Sequence, residues 1–461
     1  MFSKILIANR GEIAVRIIKT CRRMGIATVQ VYSEADAGSL AVEMADEAVL
    51  IGPAPAAQSY LLADRIVEAV RQTGAEAVHP GFGFLSENAG FARRLRDEGI
   101  AFIGPNPEAI EAMGDKISSK KLAAAAGVST VPGHMGLIET TEQAVTIANG
   151  IGYPVMIKAS AGGGGKGIRV AHSDADMAEG FAAVKAEALG AFGDDRVFLE
   201  KFIIDPRHIE IQVLGDKHGN VVHLGDRDCS IQRRFQKLIE EAPCPIMTPF
   251  LRMKMGAAAL DVAMILQYVN ALTVEFFYFP ETQKFYFNEI NSRLQVEHCV
   301  TELATGIDIV KEQIRIAAGE PLNYSQDDIR MERRALECRI TAEDATRNFI
   351  PSPGVIKRLR LPHGLGTRID EGIYDGYTVP FYYDPLLLKL MTWGKTREET
   401  LARMRRALDE MRIEGIRTSA PFHRIVMDDA DFISGKYTTA LTAKPEIQQK
   451  LKALAPRKAP A

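Results

Sequence analysis

The sequence predicts an α/β protein with a doubly wound N-terminal domain, a lid and central domain, and a mixed α+β C-terminal domain. Three observations predict this fold class. First, residues 4–9 form an apolar run, residues 12–24 have the spacing of an amphipathic helix, and residues 27–32 form a second apolar run, which together indicate a strand–helix–strand unit. Second, a glycine run separates two short apolar stretches, at residues 154–160 and 168–171. Third, long strand patterns follow further along the chain.

Changes in these patterns set the expected domain boundaries. Residues 1–113 are predicted to form the doubly wound, Rossmann-like domain, and residues 114–330 the central domain, with the lid at 131–203. Residues 331–446 are predicted to form the C-terminal domain. The tail, 447–461, belongs to a segment rich in Lys, Ala and Pro from Pro445 onward, which predicts a frayed end.

Several further elements can be placed within these domains. A helix is expected over residues 175–189, and another begins at Thr248 with Pro249 in its first turn. The expected strands of the first and central domains cover residues 101–104, 208–214, 273–279 and 284–291.

Composition excludes several classes of protein. The chain has 461 residues, 46% of them hydrophobic, and a formal net charge of -3 from 56 basic and 59 acidic side chains mixed along the sequence. Because charges of both signs are mixed, no large surface of one charge is expected, and neither a nucleic acid nor a membrane is an expected partner. No apolar run reaches the length of a membrane span, and a charge interrupts the first one before a signal peptide could form.

The cysteines indicate a reducing compartment. There are five, an odd number, and no two are spaced as Cys-x-x-Cys. This pattern fits neither a disulfide framework nor a zinc site, so we expect a cytoplasmic protein.

The first strand–helix turn argues against a dinucleotide site. Asn9-Arg10-Gly11-Glu12 contains one glycine where the Gly-x-Gly-x-x-Gly fingerprint requires three. NAD binding is therefore not expected.

The glycine run, Ala161-Gly162-Gly163-Gly164-Gly165-Lys166-Gly167, resembles a phosphate-binding lid. Glycines let the backbone amides turn toward an anion. The run is not a Gly-x-Gly-x-x-Gly dinucleotide motif, because a strand and not a helix follows it, and it is not a Walker loop, because the Gly-Lys-Ser/Thr ending is missing. A merely flexible hairpin turn is the alternative. Lys116 and Lys158 are candidate phosphate-binding cations, although either could be a solvated lysine.

Two opposed carboxylates suggest a metal site. A three-residue turn between the strands at 273–279 and 284–291 would place Glu275 opposite Glu289, and a divalent cation would relieve their repulsion. Two solvated surface carboxylates are the alternative.

Alternation continues this pattern beyond Glu289. Side chains two residues apart lie on the same face of an extended segment, so five polar residues share one face. The first of them offer oxygen ligands for a cation, and the arginine that follows can bind an anion. These residues are Glu289, Asn291, Arg293, Gln295 and Glu297.

Two further segments contain notable residues. Cations and amides are dense in residues 226–237, which fits either an anionic ligand or a basic loop neutralised by Glu240 and Glu241. Met253-Lys254-Met255 has the form of a biotin attachment site, but it lies within a helical pattern, whereas attachment needs an exposed hairpin tip. We therefore reject attachment there.

These motifs together resemble the biotin carboxylase family of ATP-grasp ligases. The resemblance extends from residue 2 to about residue 446, and residues 128–241 are most similar to the biotin carboxylase part of propionyl-CoA carboxylases. It rests on the segments 7–14, 79–88, 161–167, 207–213 and 293–298.

The resemblance implies a role for each candidate residue. Lys116, Lys158 and the amides of Gly163, Gly164 and Gly165 would hold the phosphates of ATP. The adenine would contact Glu200, Lys201 and Ile203, and the ribose side His208 and Gln232. Magnesium or manganese would bind Glu275, Glu289 and Asn291. Bicarbonate would bind Lys237, Arg293, Gln295 and Val296; Glu297 would be the base, and Arg339 would stabilise the enolate of biotin.

Five positions depart from the usual family pattern. Phe235 replaces a His or Asn near the nucleotide, Phe82 a tyrosine, and Leu272 a glycine. Cys299 replaces a proline, and Cys244 an alanine or serine. None of these changes removes a proposed catalytic group.

The resemblance also implies partners. Because the sequence contains neither an attachment hairpin nor a carboxyltransferase domain, we expect biotin on a separate carrier protein, a separate carboxyltransferase subunit and a homodimer. The acyl acceptor stays open. The alternatives are another ATP-grasp ligase, which joins a carboxylate to an amine, and a degenerate subunit that only scaffolds a complex.

Overall fold

The computed structural model describes residues 1–134, 136–160 and 167–455. Its N-terminal part contains a five-stranded parallel sheet in the order β3-β2-β1-β4-β5. Ile5 and Ile7 of β1 pack with the first helix, whereas Leu6 packs with the helices on the opposite face, so the sheet is doubly wound as predicted. The elements are β1 (Lys4–Ile7), α1 (Gly11–Arg23), β2 (Ala27–Ser33), α2 (Leu40–Met44), β3 (Glu47–Gly52), α3 (Ala63–Thr73), β4 (Ala77–His79), α4 (Ala89–Asp97), β5 (Ala101–Phe102) and α5 (Pro107–Met113).

The predicted lid is a small four-stranded antiparallel sheet in the order β6-β9-β7-β8, covered by two helices. Its glycine run at 161–166 lies outside the described residues. The elements from the start of the central part are α6 (Lys116–Ala125), β6 (Gly133–His134), α7 (Thr141–Ile151), β7 (Val155–Ala159), β8 (Ile168–Ala171), α8 (Asp174–Phe192) and β9 (Val197–Lys201).

An eight-stranded antiparallel sheet joins the central and C-terminal parts, in the order β14-β13-β10-β11-β12-β15-β22-β20. Its central elements are β10 (Arg207–Gly215), β11 (Val221–Arg233), β12 (Gln236–Ala242), α9 (Pro249–Ile265), β13 (Asn270–Phe279), β14 (Lys284–Asn291), α10 (His298–Thr305) and α11 (Ile309–Ala317). Thr248 caps α9 as predicted, since its side chain accepts a hydrogen bond from the amide of Leu251.

The C-terminal part is mixed α+β, as predicted, and it adds three strands to this sheet. Its elements are β15 (Arg334–Thr341), β16 (Glu343–Asp344), β17 (Ile350–Pro351), β18 (Gly354–Val355), β19 (Arg358–Arg360), β20 (Thr367–Glu371), β21 (Thr378–Val379), β22 (Leu386–Gly394), α12 (Arg397–Glu410), β23 (Arg412–Glu414), α13 (Ala420–Val426), α14 (Ala430–Ser434) and α15 (Pro445–Ala453).

The prediction of a frayed end from Pro445 is wrong for most of that segment. Helix α15 begins at Pro445, and its Ile447 and Leu451 are buried in the C-terminal core. Two apolar residues four apart are enough to anchor one face of a short helix, and the basic composition concealed them.

The described part of the chain contains no helix with the length and apolar character needed to cross a bilayer.

Candidate functional site

A cavity of about 870 Å³ lies between the N-terminal domain and the eight-stranded sheet. Most of the residues singled out from the sequence meet at its wall. They are Lys116, His208, Lys237, Glu275, Glu289, Asn291, Arg293, Gln295, Val296, Glu297 and Arg339.

The hairpin of β13 and β14 brings Glu275 opposite Glu289, as predicted, but with a different loop length and a bulge in the pairing. The loop has four residues, 280–283, and Phe279 pairs with Lys284. This register alone would place Glu275 opposite Asn288. A β-bulge between Glu275 and Phe276 shifts the pairing by one residue and restores the opposition of the two carboxylates.

A third carboxylate belongs to the same row. Glu210 on β10 pairs with Glu275 on β13, which pairs with Glu289 on β14. Sequence reasoning missed Glu210, although period-two alternation from His208 places both on one face of β10. Three carboxylates side by side across neighbouring strands require nearby cations.

Lys237 is the cation at the centre of this cluster. Its ammonium lies 2.6 Å from Glu210 Oε2, 2.9 Å from Glu275 Oε1 and 2.6 Å from Glu297 Oε1. Burial lowers the pKa of Lys237, but the three carboxylates outweigh burial and hold it well above its ordinary value.

Glu275 is the most heavily bonded carboxylate. Besides Lys237, it accepts hydrogen bonds from Asn291 Nδ2 at 2.9 Å and Gln295 Nε2 at 3.0 Å, and its Oε2 lies 2.7 Å from His208 Nε2. Burial raises the pKa of Glu275, but Lys237 and His208 outweigh burial and hold it well below its ordinary value. The carboxylate is therefore ionised at neutral pH.

Glu297 lies between two cations. Lys237 donates to Oε1 at 2.6 Å, and Arg339 donates to Oε2 at 2.8 Å. Burial raises the pKa of Glu297, whereas Lys237 and Arg339 lower it further than burial raises it. The ionised carboxylate can accept a proton, and moving either cation away from it would raise its pKa.

Arg293 is held at the cavity wall by two neighbours. Its Nε donates to Glu87 Oε2 at 2.9 Å, and its Nη2 donates to Asn291 Oδ1 at 3.0 Å. Glu87, which comes from the N-terminal domain, was not predicted individually, although it belongs to the 79–88 segment. It orients a guanidinium that can grip a planar oxyanion.

Arg227 is a second residue that sequence reasoning missed. It is fully buried behind the site and donates to Glu210 Oε1 at 2.5 Å and to Gln295 Oε1 at 2.8 Å. Further donors reach Gln212, Thr273 and Thr301. Arg227 thereby fixes the orientation of the Gln295 amide, whose nitrogen faces Glu275.

His208 and Gln232 are adjacent. Gln232 Nε2 lies 2.6 Å from His208 Nδ1 and 2.7 Å from the Cys229 carbonyl oxygen. Because the amide nitrogen can only donate, Nδ1 accepts and Nε2–H donates to Glu275. Only His208 of this pair reaches the cavity wall.

The residues expected around the phosphates and adenine are divided between two places. Lys116 lines the cavity, and its ammonium lies 3.6 Å from Glu289 Oε2. Lys158 lies on the lid sheet, where it and Lys120 bind Glu200 at 3.2 and 2.8 Å.

The other lid residues lie away from the described cavity wall. Lys201 donates to the carbonyl oxygens of Gly152 and Tyr153, and Ile203 is half-buried just beyond β9. Gly163, Gly164 and Gly165 fall outside the described residues.

A buried pair of glutamates lies behind Arg339. Glu240 on β12 and Glu337 on β15 are directly opposite, and Glu240 accepts a hydrogen bond from Arg339 Nε at 2.6 Å. Neither oxygen of Glu337 has a hydrogen-bond partner among the described residues. Burial raises the pKa of Glu240 to about 7 and, together with the Glu240 charge, raises that of Glu337 well above its ordinary value. The pair therefore retains a proton where free glutamates have lost theirs.

Glu337→Gln is expected to stabilise the protein at pH 8 but not at pH 5. The folded chain keeps a proton on Glu337 that the unfolded chain loses near pH 4.5, so the contribution of Glu337 to the stability of the unaltered chain falls as pH rises above about 4.5. A neutral amide removes this dependence and should increase the free energy of unfolding at pH 8 by roughly 1–3 kcal/mol. Denaturant unfolding at both pH values measures the difference; equal stabilities at pH 8 would contradict it.

Two of the five unusual residues lie at the cavity wall. They are Phe82 and Phe235, and the latter is 49% exposed at the tip of the β11–β12 hairpin. Arg234 and Phe235 have φ angles of 51° and 63°, which bulky side chains rarely adopt. Leu272, Cys244 and Cys299 are buried away from the cavity wall.

Three family models match consecutive parts of the chain. "Biotin carboxylase, N-terminal domain" matches residues 1–110, and "Biotin carboxylase C-terminal domain" matches residues 337–444. Between them, "Carbamoyl-phosphate synthase L chain, ATP binding domain" matches residues 115–325.

Individual relatives agree with these matches. The propionyl-CoA carboxylase alpha chain of Ruegeria pomeroyi is 54% identical, over 96% of this chain and 68% of the relative. Biotin carboxylase 1 of Bacillus subtilis is 52% identical, over 95% of this chain and 98% of the relative. The crystal structure of the biotin carboxylase domain dimer of Hydrogenobacter thermophilus 2-oxoglutarate carboxylase, with MgADP, ADP and bicarbonate, has a TM-score of 0.95 and 49% identity, covering 97% of this chain and 99% of that one.

Proposed function

The chain belongs to the biotin carboxylase family, whose members carboxylate biotin with bicarbonate in an ATP-dependent reaction, and we propose that the cavity described above is where this chain does so. The observation that carries the proposal is the ionised Glu297 between Lys237 and Arg339, next to Arg293 and the row of metal-binding carboxylates.

ATP enters from the side of the lid. Lys116 and Lys158, with the amides of Gly163, Gly164 and Gly165, hold its phosphates. Glu200, Lys201 and Ile203 contact the adenine, and His208 and Gln232 the ribose side. The proximity of Lys116 to Glu289 supports this arrangement, because the lysine then lies where phosphate and metal meet.

Magnesium or manganese fits Glu275, Glu289 and Asn291. All three offer oxygen atoms, and Glu289 faces the cavity with only Lys116 close to its carboxylate among the described residues, which leaves lone pairs free. When bound, the ion neutralises charge on the phosphate oxygens as the γ-phosphate departs.

Glu289→Gln is expected to weaken Mn²⁺ binding about tenfold or more, because a charged ligand becomes a neutral one. Electron paramagnetic resonance of Mn²⁺ measures binding without turnover. Glu281→Gln is the matched control, since Glu281 lies exposed in the loop of the same hairpin. Equal Mn²⁺ affinities of the two variants would show that Glu289 is not a metal ligand.

Bicarbonate binds between Arg293, Lys237, Gln295 and Val296. The guanidinium of Arg293 grips two oxygens, and Lys237 turns from its carboxylates toward the anion. This movement relieves the strongest of the interactions that keep the pKa of Glu297 low, so substrate binding itself strengthens the base.

Glu297 accepts the bicarbonate proton, and the oxyanion attacks the γ-phosphorus of ATP. The bond from that phosphorus to the β,γ-bridging oxygen breaks, which gives ADP and carboxyphosphate. Carboxyphosphate separates into carbon dioxide and phosphate, and the phosphate removes the proton from the ureido nitrogen of biotin. Arg339 stabilises the resulting enolate, whose nitrogen attacks carbon dioxide.

Bicarbonate-dependent ATP cleavage with free biotin tests this function. We expect ADP release to require both bicarbonate and biotin, and labelled bicarbonate to appear in carboxybiotin. An ATP-grasp ligase of another kind would ignore bicarbonate and respond to an amine acceptor. A scaffold subunit would show no turnover.

The wider assembly is also part of the proposal. Biotin reaches the cavity on a biotin carboxyl carrier protein, a carboxyltransferase subunit takes up the carboxyl group and selects the acyl acceptor, and the chain forms a homodimer. The five free cysteines, all buried, support a reducing cytoplasmic location. The domain boundaries near residues 113 and 330 and the lid at 131–203 belong to the same proposal, whereas the C-terminal domain extends past residue 446 to the end of α15 at Ala453.

A further inference from the structure

Helix α9 carries an apolar surface that the catalytic cavity does not use. Only Arg252, Lys254 and Asp261 are charged among its 17 residues. Its inner side packs into the core under the large sheet. Its outer side exposes Phe250 (60%), Met253 (59%), Met264 (54%) and Ile265 (50%).

The exposed residues form a continuous stripe. At about 100° per residue, Phe250, Met253, Ala257 and Met264 fall within an arc of about 60°. The stripe follows a helix about 25 Å long. A helix that is apolar on both sides is normally covered on both sides, so the outer stripe indicates a protein contact.

Two charged residues border one edge of the stripe. Lys254 and Asp261 are both exposed and lie seven residues apart, two helical turns, on the same edge. Neither forms a salt bridge within the part of the chain that the structure describes. The Lys254 ammonium instead lies 4.6 Å from the centre of the Phe250 ring.

We propose that α9 pairs antiparallel with α9 of a second copy of this chain, about a two-fold axis between Ala257 and Ala258. A two-fold axis makes the same edge of both helices meet. Lys254 then faces Asp261 of the second copy, and Asp261 faces its Lys254.

The apolar residues obey the same symmetry. Met253 packs beside Met264 of the second copy along the other edge, and Phe250 packs beside its Ile265 at the helix ends. Ala257, which is exposed beside the axis, is small enough to let the two backbones approach closely. The outer side of α9 is therefore complementary to itself in both charge and shape.

This contact is separate from the reaction. None of these residues lines the cavity. One helix pair lies at the lower end of specific interface sizes, so the association is concentration-dependent over roughly the micromolar range. It adds to any other pairing of the chain and raises the mass of the assembly at least twofold.

Charge reversal tests the pairing against a different partner. We expect sedimentation velocity of the full chain, at about 1–100 μM, to show an assembly at least twice the mass of that formed by Lys254→Glu or by Asp261→Lys. The double variant Lys254→Glu/Asp261→Lys should recover the larger mass, because the swapped charges still match each other across the axis. A helix of a different protein would not be matched by the swap, so failure of the double variant to recover overturns the proposal.

Cross-linking gives an independent readout. Ala257→Cys should form a disulfide-linked dimer under mild oxidation, whereas Ala178→Cys, on the exposed side of α8, should not. The native cysteines are all buried, so the background is low. Equal cross-linking of both variants, or an unaltered chain with the same mass as its charge variants at every concentration, overturns the proposal. Bicarbonate-dependent ATP cleavage should be unchanged in all these variants.

Discussion

Replacing Glu297 with glutamine is expected to lower kcat for bicarbonate-dependent ATP cleavage by about 10²–10⁴-fold, the usual contribution of a positioned base. Glutamine keeps the shape of the side chain and can still accept a hydrogen bond from Lys237 or Arg339, but it cannot take a proton. The loss should therefore fall on kcat, whereas KM for ATP should change little, because Glu297 has no proposed contact with the nucleotide.

The pH profile separates a base from a positioning residue. In the unaltered chain the rate should fall with acid as Glu297 takes up a proton, and this limb should be missing from the residual activity of Glu297→Gln. Thermal unfolding of the variant checks that the fold is intact. A kcat within threefold of the unaltered value, with a folded variant, would assign the base to another residue.

The β13–β14 hairpin shows how far a strand pattern can be followed from sequence. The opposition of Glu275 and Glu289 was predicted with a three-residue turn, and the observed loop has four residues. The bulge that corrects the register leaves no mark in composition or alternation, because it depends on how β13 pairs with two neighbours at once.

Residues that act from behind the site were the hardest to predict. Arg227 belongs to a segment whose basic residues fitted a solvated loop as well as a ligand site, and only the fold shows that it is fully buried against Glu210 and Gln295. Alternation along β10 could have found Glu210, since it needs only the neighbour His208. The buried anchors of α15 were hidden for a similar reason, since packing partners are distant in sequence.

Lys237→Met should be the most destabilising single change at the site. Removing the ammonium leaves Glu210, Glu275 and Glu297 facing one another with Arg227, Arg339 and His208 as the remaining cationic or hydrogen-bonding neighbours. Removing one partner from a buried ionic cluster costs about 3–5 kcal/mol, and we expect a loss of that size in the free energy of unfolding at pH 7. Activity should also be lost, because bicarbonate loses one of its cations.

The dependence of this loss on pH identifies its cause. The pKa values of Glu275 and Glu297 are lowered in the folded chain by Lys237 against the effect of burial, so their contribution to stability is present above pH 4.5 and is lost as pH falls below it. The difference between Lys237→Met and the unaltered chain should therefore be largest between pH 7 and 4.5 and shrink as pH falls below 4.5. Denaturant unfolding across this range measures it.

Lys237→Arg keeps the charge and should recover much of the stability but little of the activity, because a planar fork cannot meet three carboxylates as an ammonium does. Lys121→Met, an exposed lysine on α6, is the matched control and should change neither quantity. A loss that is constant with pH would mean that packing of the lysine stem, and not its charge, stabilises the site.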